Sequence, residues 1–455
     1  MKIAGLGLTL LQSMEAGRSG DFKESALGYY YQYLLTEAFQ EAGVEPDKLT
    51  EVFHYATQLA AEYHRLGKSE LSEGELRDFN TEFSGRWHSV EFGSRLAMLL
   101  RARVLCQVGT DYGFRYPYIY YYLKGQFLAD NIRDPEIREY VEHCCLHLYV
   151  RDYAHTVLFL AHHTTDAFVL EAMMRSLDSL FKEWTPITFS GDTNGIRQLI
   201  EDAPKLVYSG ETPEEHRRKA NALRDNVVNE TDDADEAEEE SGELSIVAQV
   251  TMLFRTIEIL GQVLKNQYAK IERPRKGAIL EGLFNGPLRA LKSFYEFCER
   301  NPEGMVLAIE AVMRRKGELN EKERRLLARR VVAGLVQVLT FSFLWRAARA
   351  ANAEALREDV RGVVDGGASV AFRLIDLCID LDSPRPIPRQ KLLGLEREGQ
   401  RDVMLGRVML LAVINRLYMF KTSEKDMQWL SAKMGLAIKG QHTITYEQRR
   451  QRLIE

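Results

Sequence analysis

The sixteen residues 114–129, FRYPYIYYYLKGQFLA, narrow the fold more than any other stretch of this chain. Pro117 fixes its own φ and pushes Tyr116 into extended geometry, so a strand must stop there. A proline also suits the first helical position, where its missing N–H is not needed. The pattern therefore predicts a short strand ending near Tyr116 and an aromatic helix starting at Pro117. Five tyrosines fall between Tyr116 and Tyr122. Their rings offer large apolar area while each hydroxyl needs a partner. Such a corner suits a place where one module seats on another. The competing reading is a helix start buried in its own domain.

The rest of the chain reads as helix. Only 12 prolines occur in 455 residues, and 45% of residues are apolar, enough for two or three cores. Five cysteines, Cys106, Cys144, Cys145, Cys298 and Cys378, form no disulfide ladder and suit a reducing, cytoplasmic setting. The N-terminal apolar run Leu6–Leu11 lacks a small-x-small cleavage site and continues as a helical pattern from Lys2 to Glu15, which argues against secretion. The longest apolar run, Val331–Trp345, has 15 residues and arginines on both sides, short of the roughly 20 needed to span a bilayer. It predicts a buried core helix and no membrane segment.

Charge is unevenly spread. Residues 1–243 carry 24 Lys+Arg and 42 Asp+Glu, a balance of −18; residues 244–455 carry 36 and 24, a balance of +12, and the sum is the overall −6. The basic half faces either nucleic acid or acidic parts of its own chain. Nine acids and no base between Glu230 and Glu243 predict an exposed linker.

Periodicity predicts helices over Lys23–Ala42, Asp47–Leu66, Val90–Arg103 and several between Pro135 and Phe181. Ser72 with Glu75 reads as a capping box. Two β-prone runs, Val104–Val108 and Phe114–Tyr116, are joined by a Gly/Asp turn and predict a small wing after these helices. The expected reading helix near Gly74–Gly85 holds more acids than bases, which argues against DNA recognition. Helices are then expected over Leu244–Lys270, Gly277–Arg300, Pro302–Lys316, Glu321–Ala351, Ala353–Leu381, Arg401–Phe420 and Ser423–Met434, with 382–388 as a proline-dense loop. The fold class expected is mainly α: a winged-helix-like N-terminal region followed by stacked helical domains. The expected divisions are a first domain over 1–132, a helical extension over 133–185, a linker over 186–243 and a C-terminal helical domain over 244–455.

Catalytic motifs do not emerge. Leu66-Gly-Lys-Ser69 imitates the end of a phosphate-binding loop, but Glu62 stands where the motif needs a glycine. His143 and His147 are four apart on one helix face and, with His162, His163 and Asp166, could be metal ligands of a hydrolase. No general base lies between the first pair, and hydrogen bonding between helices is the plainer role. The densest basic cluster, Arg314–Lys316 with Lys322, Arg324, Arg325, Arg329 and Arg330, is interrupted by Glu318, Glu321 and Glu323 and reads as a solvated, ion-paired face; its alternative is a nucleic-acid contact. No cofactor site is expected.

Phe114–Tyr122 with Phe127-Leu-Ala129 resembles a block in bacterial STAND-type P-loop NTPases, some of which carry a calcineurin-like metallophosphoesterase effector. Leu8–Gln12, Leu158–His163 and Ile257–Asn266 resemble further blocks of these proteins. The family's Walker motifs and phosphoesterase metal ligands have no counterpart here, so the resemblance touches the regulatory and sensing portion alone. It implies a non-catalytic module of an anti-phage or stress-signalling system. Its implied partners are a P-loop NTPase module, in cis or in trans, and a phage-derived protein trigger, with oligomerisation on activation. The residues expected to contact the NTPase are Phe114, Arg115, Tyr116, Pro117, Tyr118, Tyr121 and Tyr122.

Overall fold

The computed structural model describes residues 27–201, 203, 206–216, 218, 244–314, 320–367, 369–399 and 402–438. The helix expected over Lys2–Glu15, the block Leu8–Gln12 and the acidic run Glu230–Glu243 lie outside the described residues. The fold is mainly α, as its composition predicts. Two compact units divide the chain: residues 1–176 with 262–270, and residues 177–261 with 271–455.

The first unit opens with α1 (Leu27–Glu41) and α2 (Leu49–Leu66). Gly67 ends α2 in the left-handed region at φ 64°, where a side chain would be strained. Strand β1 (Glu70–Leu71) leads to α3 (Glu73–Arg86), which the expected capping box starts: Glu75 N donates to Ser72 Oγ at 3.3 Å and Ser72 N donates to Glu75 Oε2 at 2.9 Å. Helix α4 (Phe92–Arg101) follows, then β2 (Leu105–Val108) and β3 (Asp111–Phe114). Gly109, at φ 63°, and Thr110 form the two-residue turn between them. The turn is shorter than the Gly109–Gly113 span suggests, because Asp111–Gly113 pair with β2. The sheet is antiparallel in the order β1-β3-β2, with Leu71 opposite Tyr112 and Leu105 opposite Phe114. Its inner face closes on Phe39, Leu59, Tyr63 and Leu123, all almost fully buried. Tyr63 keeps its hydroxyl satisfied there by donating to Tyr112 O at 2.6 Å. Helices α5 (Pro117–Asp130), α6 (Pro135–Leu146), α7 (Arg151–His163) and α8 (Ala167–Ser179) complete this part of the chain.

The second unit is built on long helices: α10 (Ile246–Gln267, which begins in this unit), α11 (Arg273–Arg300), α12 (Pro302–Arg314) and α13 (Glu321–Ala351), after the short α9 (Arg197–Glu201). Pro274 lies in the first turn of α11 rather than closing the helix before it, since a proline costs no hydrogen bond there. Helix α13 packs on α11, on α12 and on the helices over Val370–Leu381 and Val403–Met419. The stretch expected as one helix over Ala353–Leu381 is two, α14 (Arg357–Gly367) and α15 (Val370–Leu381). Gly366 and Gly367 weaken the helix, and Ser369 starts the next by accepting from Ala371 N at 3.2 Å. Helix α16 (Arg389–Gly399) was not expected from the sequence; α17 (Val403–Met419) and α18 (Glu424–Met434) were. Two two-residue strands, β4 (Val207–Tyr208) and β5 (Ala437–Ile438), pair in parallel.

Among the described residues two helices, α10 and α13, are long and apolar enough to cross a membrane by length and composition, and 56% and 50% of their most apolar windows are buried. The apolar run Val331–Trp345 is therefore a half-buried helix face, not a wholly buried one.

Candidate interaction site

The aromatic corner forms where β3 hands over to α5. Arg115 N donates to Val104 O at 2.9 Å, the last tie to the hairpin. Tyr116 is extended at φ −131° and ψ 128°, and Pro117 opens the helix, as the sequence predicts. Ile119 N then donates to Tyr116 O at 3.0 Å.

The seven candidate residues separate into two sets. Arg115, Tyr116, Pro117 and Tyr118 are exposed. The rings of Tyr116 and Tyr118 stack at 5.3 Å and 8°, the Arg115 guanidinium lies 5.7 Å from the Tyr116 ring, and Tyr31 of α1 meets Tyr118 at 5.1 Å. Phe114 is half-buried, edge-on to Tyr63 at 5.0 Å. Tyr121 and Tyr122 point the other way and are buried within the first unit. The Tyr121 hydroxyl donates to the Asp152 carboxylate, and desolvation with that acid pushes the phenol well above its ordinary range. Tyr122 meets His163 edge-on at 4.6 Å, and its phenol is pushed up to about 12 by burial.

These inward tyrosines fasten α5 to α7. His163 Nε2 donates to Tyr122 O at 3.0 Å, and burial lowers its pKa to about 4, so the imidazole is neutral. Beside them Lys124 is buried at 4% exposure, its ammonium donating to Tyr140 Oη at 2.8 Å and lying 5.5 Å from the Tyr120 ring. Burial lowers its pKa to about 8. Lys124 gave no signal in the sequence; only its place one residue before Gly125, where the helices touch, accounts for its burial.

The other candidates resolve as packing. His143 in the last turn of α6 and His147 just past its end stack at 4.1 Å, and His147 Nδ1 donates to His143 O at 2.8 Å. His162 and His163 are half-buried at the end of α7, and Gln267 donates to Ala161 O beside them at 2.8 Å. Among the described residues no group of three or more His, Cys, Asp or Glu could hold a metal ion. Gly67 of the phosphate-loop look-alike caps α2, and Lys68 Nζ is paired with Glu75 at 2.5 Å. In the basic cluster, Arg325 and Arg329 pair with Glu303, at 2.7 and 3.1 Å, rather than with acids of their own helix, because Glu323 is used in the α13 capping box with Asn320. Arg315, Lys316 and Glu318 lie outside the described residues.

The helix that directly precedes the hairpin is α4, not the Gly74–Gly85 helix that the sequence puts in the reading position and whose acids argue against DNA recognition. The α4 N-terminus is capped by the Glu91 carboxylate, which accepts from Gly93 N at 2.9 Å and Ser94 N at 2.6 Å and is held below its ordinary pKa by the Ser94 side chain and by those backbone bonds. Arg95 turns inward to Glu51 and lies 5.0 Å from the Tyr55 ring. An anionic cap and an inward arginine oppose phosphate and base contacts at the end of the helix that would make them.

The described residues are mainly α, with a three-stranded antiparallel sheet and an exposed aromatic corner. Residues 69–123, from the threshold of β1 into α5, match the family model described as Novel STAND NTPase 4. This stretch is 55 of the 455 residues and includes the hairpin and the whole corner. The match supports a STAND-type association for this part of the chain. No curated protein and no solved structure matches the chain.

Proposed function

We propose that this chain is the non-catalytic sensor and regulatory module of a STAND-type signalling or anti-phage defence system. In this reading the region from α2 to β3 is a winged helix used for protein contact. The corner at Arg115, Tyr116 and Tyr118 seats a P-loop NTPase module, and the remaining helices meet a phage-derived trigger. The sequence-based divisions at 132, 185 and 243, a cytoplasmic setting and oligomerisation on activation belong to the same proposal. A trigger would act only through its differential affinity for the seated and released states.

The observation that carries the reading is the stacked, exposed Tyr116–Tyr118 pair with Arg115, inside the stretch that matches the STAND family. Tyrosine and arginine are the side chains most often decisive at protein interfaces. Binding of the full chain to a purified STAND-type P-loop NTPase module, measured by calorimetry, tests it. Tyr116→Ala with Tyr118→Ala should weaken binding at least about ten-fold, while Tyr33→Ala, at an exposed ring in α1, should leave it unchanged. Absence of binding, or equal binding by all three proteins, refutes the seat.

A further inference from the structure

One stretch of the first unit is cationic against the trend of its half of the chain. Residues 92–129 hold five Lys or Arg and a single acid, Asp111, while residues 1–243 as a whole hold 24 Lys+Arg against 42 Asp+Glu. Two of the five cations are engaged inside the fold: Arg95 with Glu51, and Lys124 with Tyr140. The other three, Arg101, Arg103 and Arg115, are exposed, and among the described residues none of them forms an ion pair. Two of these three stand at the aromatic corner. The Arg115 guanidinium lies 5.7 Å from the Tyr116 ring. The bond from Arg115 N to Val104 O, at 2.9 Å, sets Arg115 opposite the residue that follows Arg103.

Arg103 occupies a backbone position that suits glycine. It follows α4 at φ 57°, in the left-handed region. Its N–H donates to Leu100 O at 3.1 Å, and Val104 N donates to Leu99 O at 3.0 Å, the paired bonds of a helix stop that glycine or asparagine usually provides. A cation does suit the helix dipole here, but Arg101 already supplies one in the last turn. An exposed arginine held in a strained conformation beside the Tyr116–Tyr118 pair is a side chain kept for what it meets.

Charge decides what that is. Covering an unpaired guanidinium strips its water, so the covering surface must return hydrogen-bond acceptors, and carboxylates match its fork best. Proteins that bind single strands leave ring faces open for bases, whereas here Tyr116 and Tyr118 stack on each other and Tyr118 meets Tyr31. A second copy seated corner on corner would set these arginines against their own kind.

We propose that the surface seated on this corner is acidic: Arg103 and Arg115 pair with carboxylates of the NTPase module, while Tyr116 and Tyr118 pack against the chain that carries them. This names the chemistry of the partner and rests on the seat proposed above.

Calorimetry of the full chain with a purified STAND-type P-loop NTPase module, from about 50 to about 300 mM salt, tests it. Affinity should fall as salt rises. Arg103→Gln with Arg115→Gln should weaken binding about ten-fold and flatten the salt dependence. Arg175→Gln, at an exposed arginine paired with Glu142, should change neither. Arg103→Gly should weaken binding several-fold while the thermal midpoint stays equal or rises, since glycine fits the left-handed backbone. Circular dichroism checks that each variant stays folded. Binding that Tyr116→Ala with Tyr118→Ala weakens, but that neither salt nor the arginine pair moves, overturns the acidic surface and leaves the seat standing. No binding, or binding indifferent to the tyrosines, refutes the seat and this inference with it. A lower midpoint with unchanged binding in Arg103→Gly makes Arg103 a helix cap and overturns the proposal, as does an equal loss in Arg175→Gln. A labelled oligothymidylate that binds more tightly than the module and is released by the arginine pair would assign the corner to single strands. A dimer in sedimentation that the arginine pair alters would assign it to a second copy, and either result overturns the proposal.

Discussion

Replacing Gly125 with alanine puts a methyl group where the backbone of α7 already stands. A Cβ built at Gly125 meets Leu160 N and Phe159 C at 2.8 Å and Phe159 Cβ at 3.0 Å. Ordinary carbon contacts lie at about 3.5–4.0 Å, so α5 and α7 must part by roughly 0.7 Å or more. Two of the three atoms met are main-chain, so no rotamer change relieves them. Overpacking of this kind costs about 1–3 kcal/mol, and the rigid neighbours place it in the upper half. Alanine returns up to about 1 kcal/mol through helix propensity, leaving a net loss of about 1–2 kcal/mol. Gly277 is the control: it sits in α11 with nothing within 4 Å of its Cβ position. Gly277→Ala should therefore be neutral or stabilising by up to about 1 kcal/mol. Because a chain of two units need not unfold in one step, the readout pairs urea midpoints with amide exchange in α5 and α7. Gly125→Ala should speed exchange in both helices. A variant as stable as the parent, with α7 protection unchanged, refutes the close-approach argument.

Two further outcomes follow from buried cations. Lys124 titrates at about 8 in the fold against 10.5 as an ordinary lysine, so the unfolded chain binds the extra proton between those values. Its stability contribution is complete above pH 10.5 and is lost as pH falls through 8, a difference of about 3 kcal/mol at most. The stability gap between the parent and Lys124→Met should shift in the parent's favour from pH 8 to 10, read by urea midpoints, and a pH-independent gap refutes the assignment. Arg416, 4% exposed, donates to Leu381 O, Ser383 O and Arg385 O and so ties down the 382–388 loop. Arg416→Met should cost about 3–5 kcal/mol by stripping three carbonyls of a charged donor. Lysine should not rescue it, since one ammonium cannot reproduce the guanidinium fork; thermal unfolding and proteolysis at the loop report both, and a loss under about 1 kcal/mol counts against the role.

Local chemistry was legible where it acts over a few residues. Ser72 with Glu75 and the Tyr116-Pro117 boundary follow from neighbours in the chain and stand as read; a turn at Gly109 does too, but it takes two residues rather than five. Helix α16 was not readable, because its sequence has two glycines and little apolar rhythm. It is held by tertiary partners instead: Lys391 bridges Asp376 and Asp380 at 2.5 and 2.6 Å, Arg373 reaches Glu398 at 2.8 Å, and Leu392 and Leu395 are buried. The unit boundaries were equally hidden, since residues 262–270 group with the first unit while the helix they end begins in the second. The apolar run Val331–Trp345 was visible, but only packing shows that Leu335, Val338 and Leu339 on one side of that helix are exposed.

The corner shows how the buried and exposed halves of one motif depend on each other. Tyr121 and Tyr122 gain nothing for recognition directly, being enclosed by Asp152, His163 and Phe159. They do fix the phase of α5, and Pro117 removes the backbone freedom just before it. Tyr116 and Tyr118 are thereby stacked in advance, with Tyr31 and Arg115 against them. Ordering a mobile side chain at an interface costs about 0.5–1.5 kcal/mol, and here two rings are already ordered. Loss of Tyr121 or Tyr122 would therefore disturb the proposed contact through the position of the helix, whereas loss of Tyr116 or Tyr118 would remove the proposed contacting surface itself.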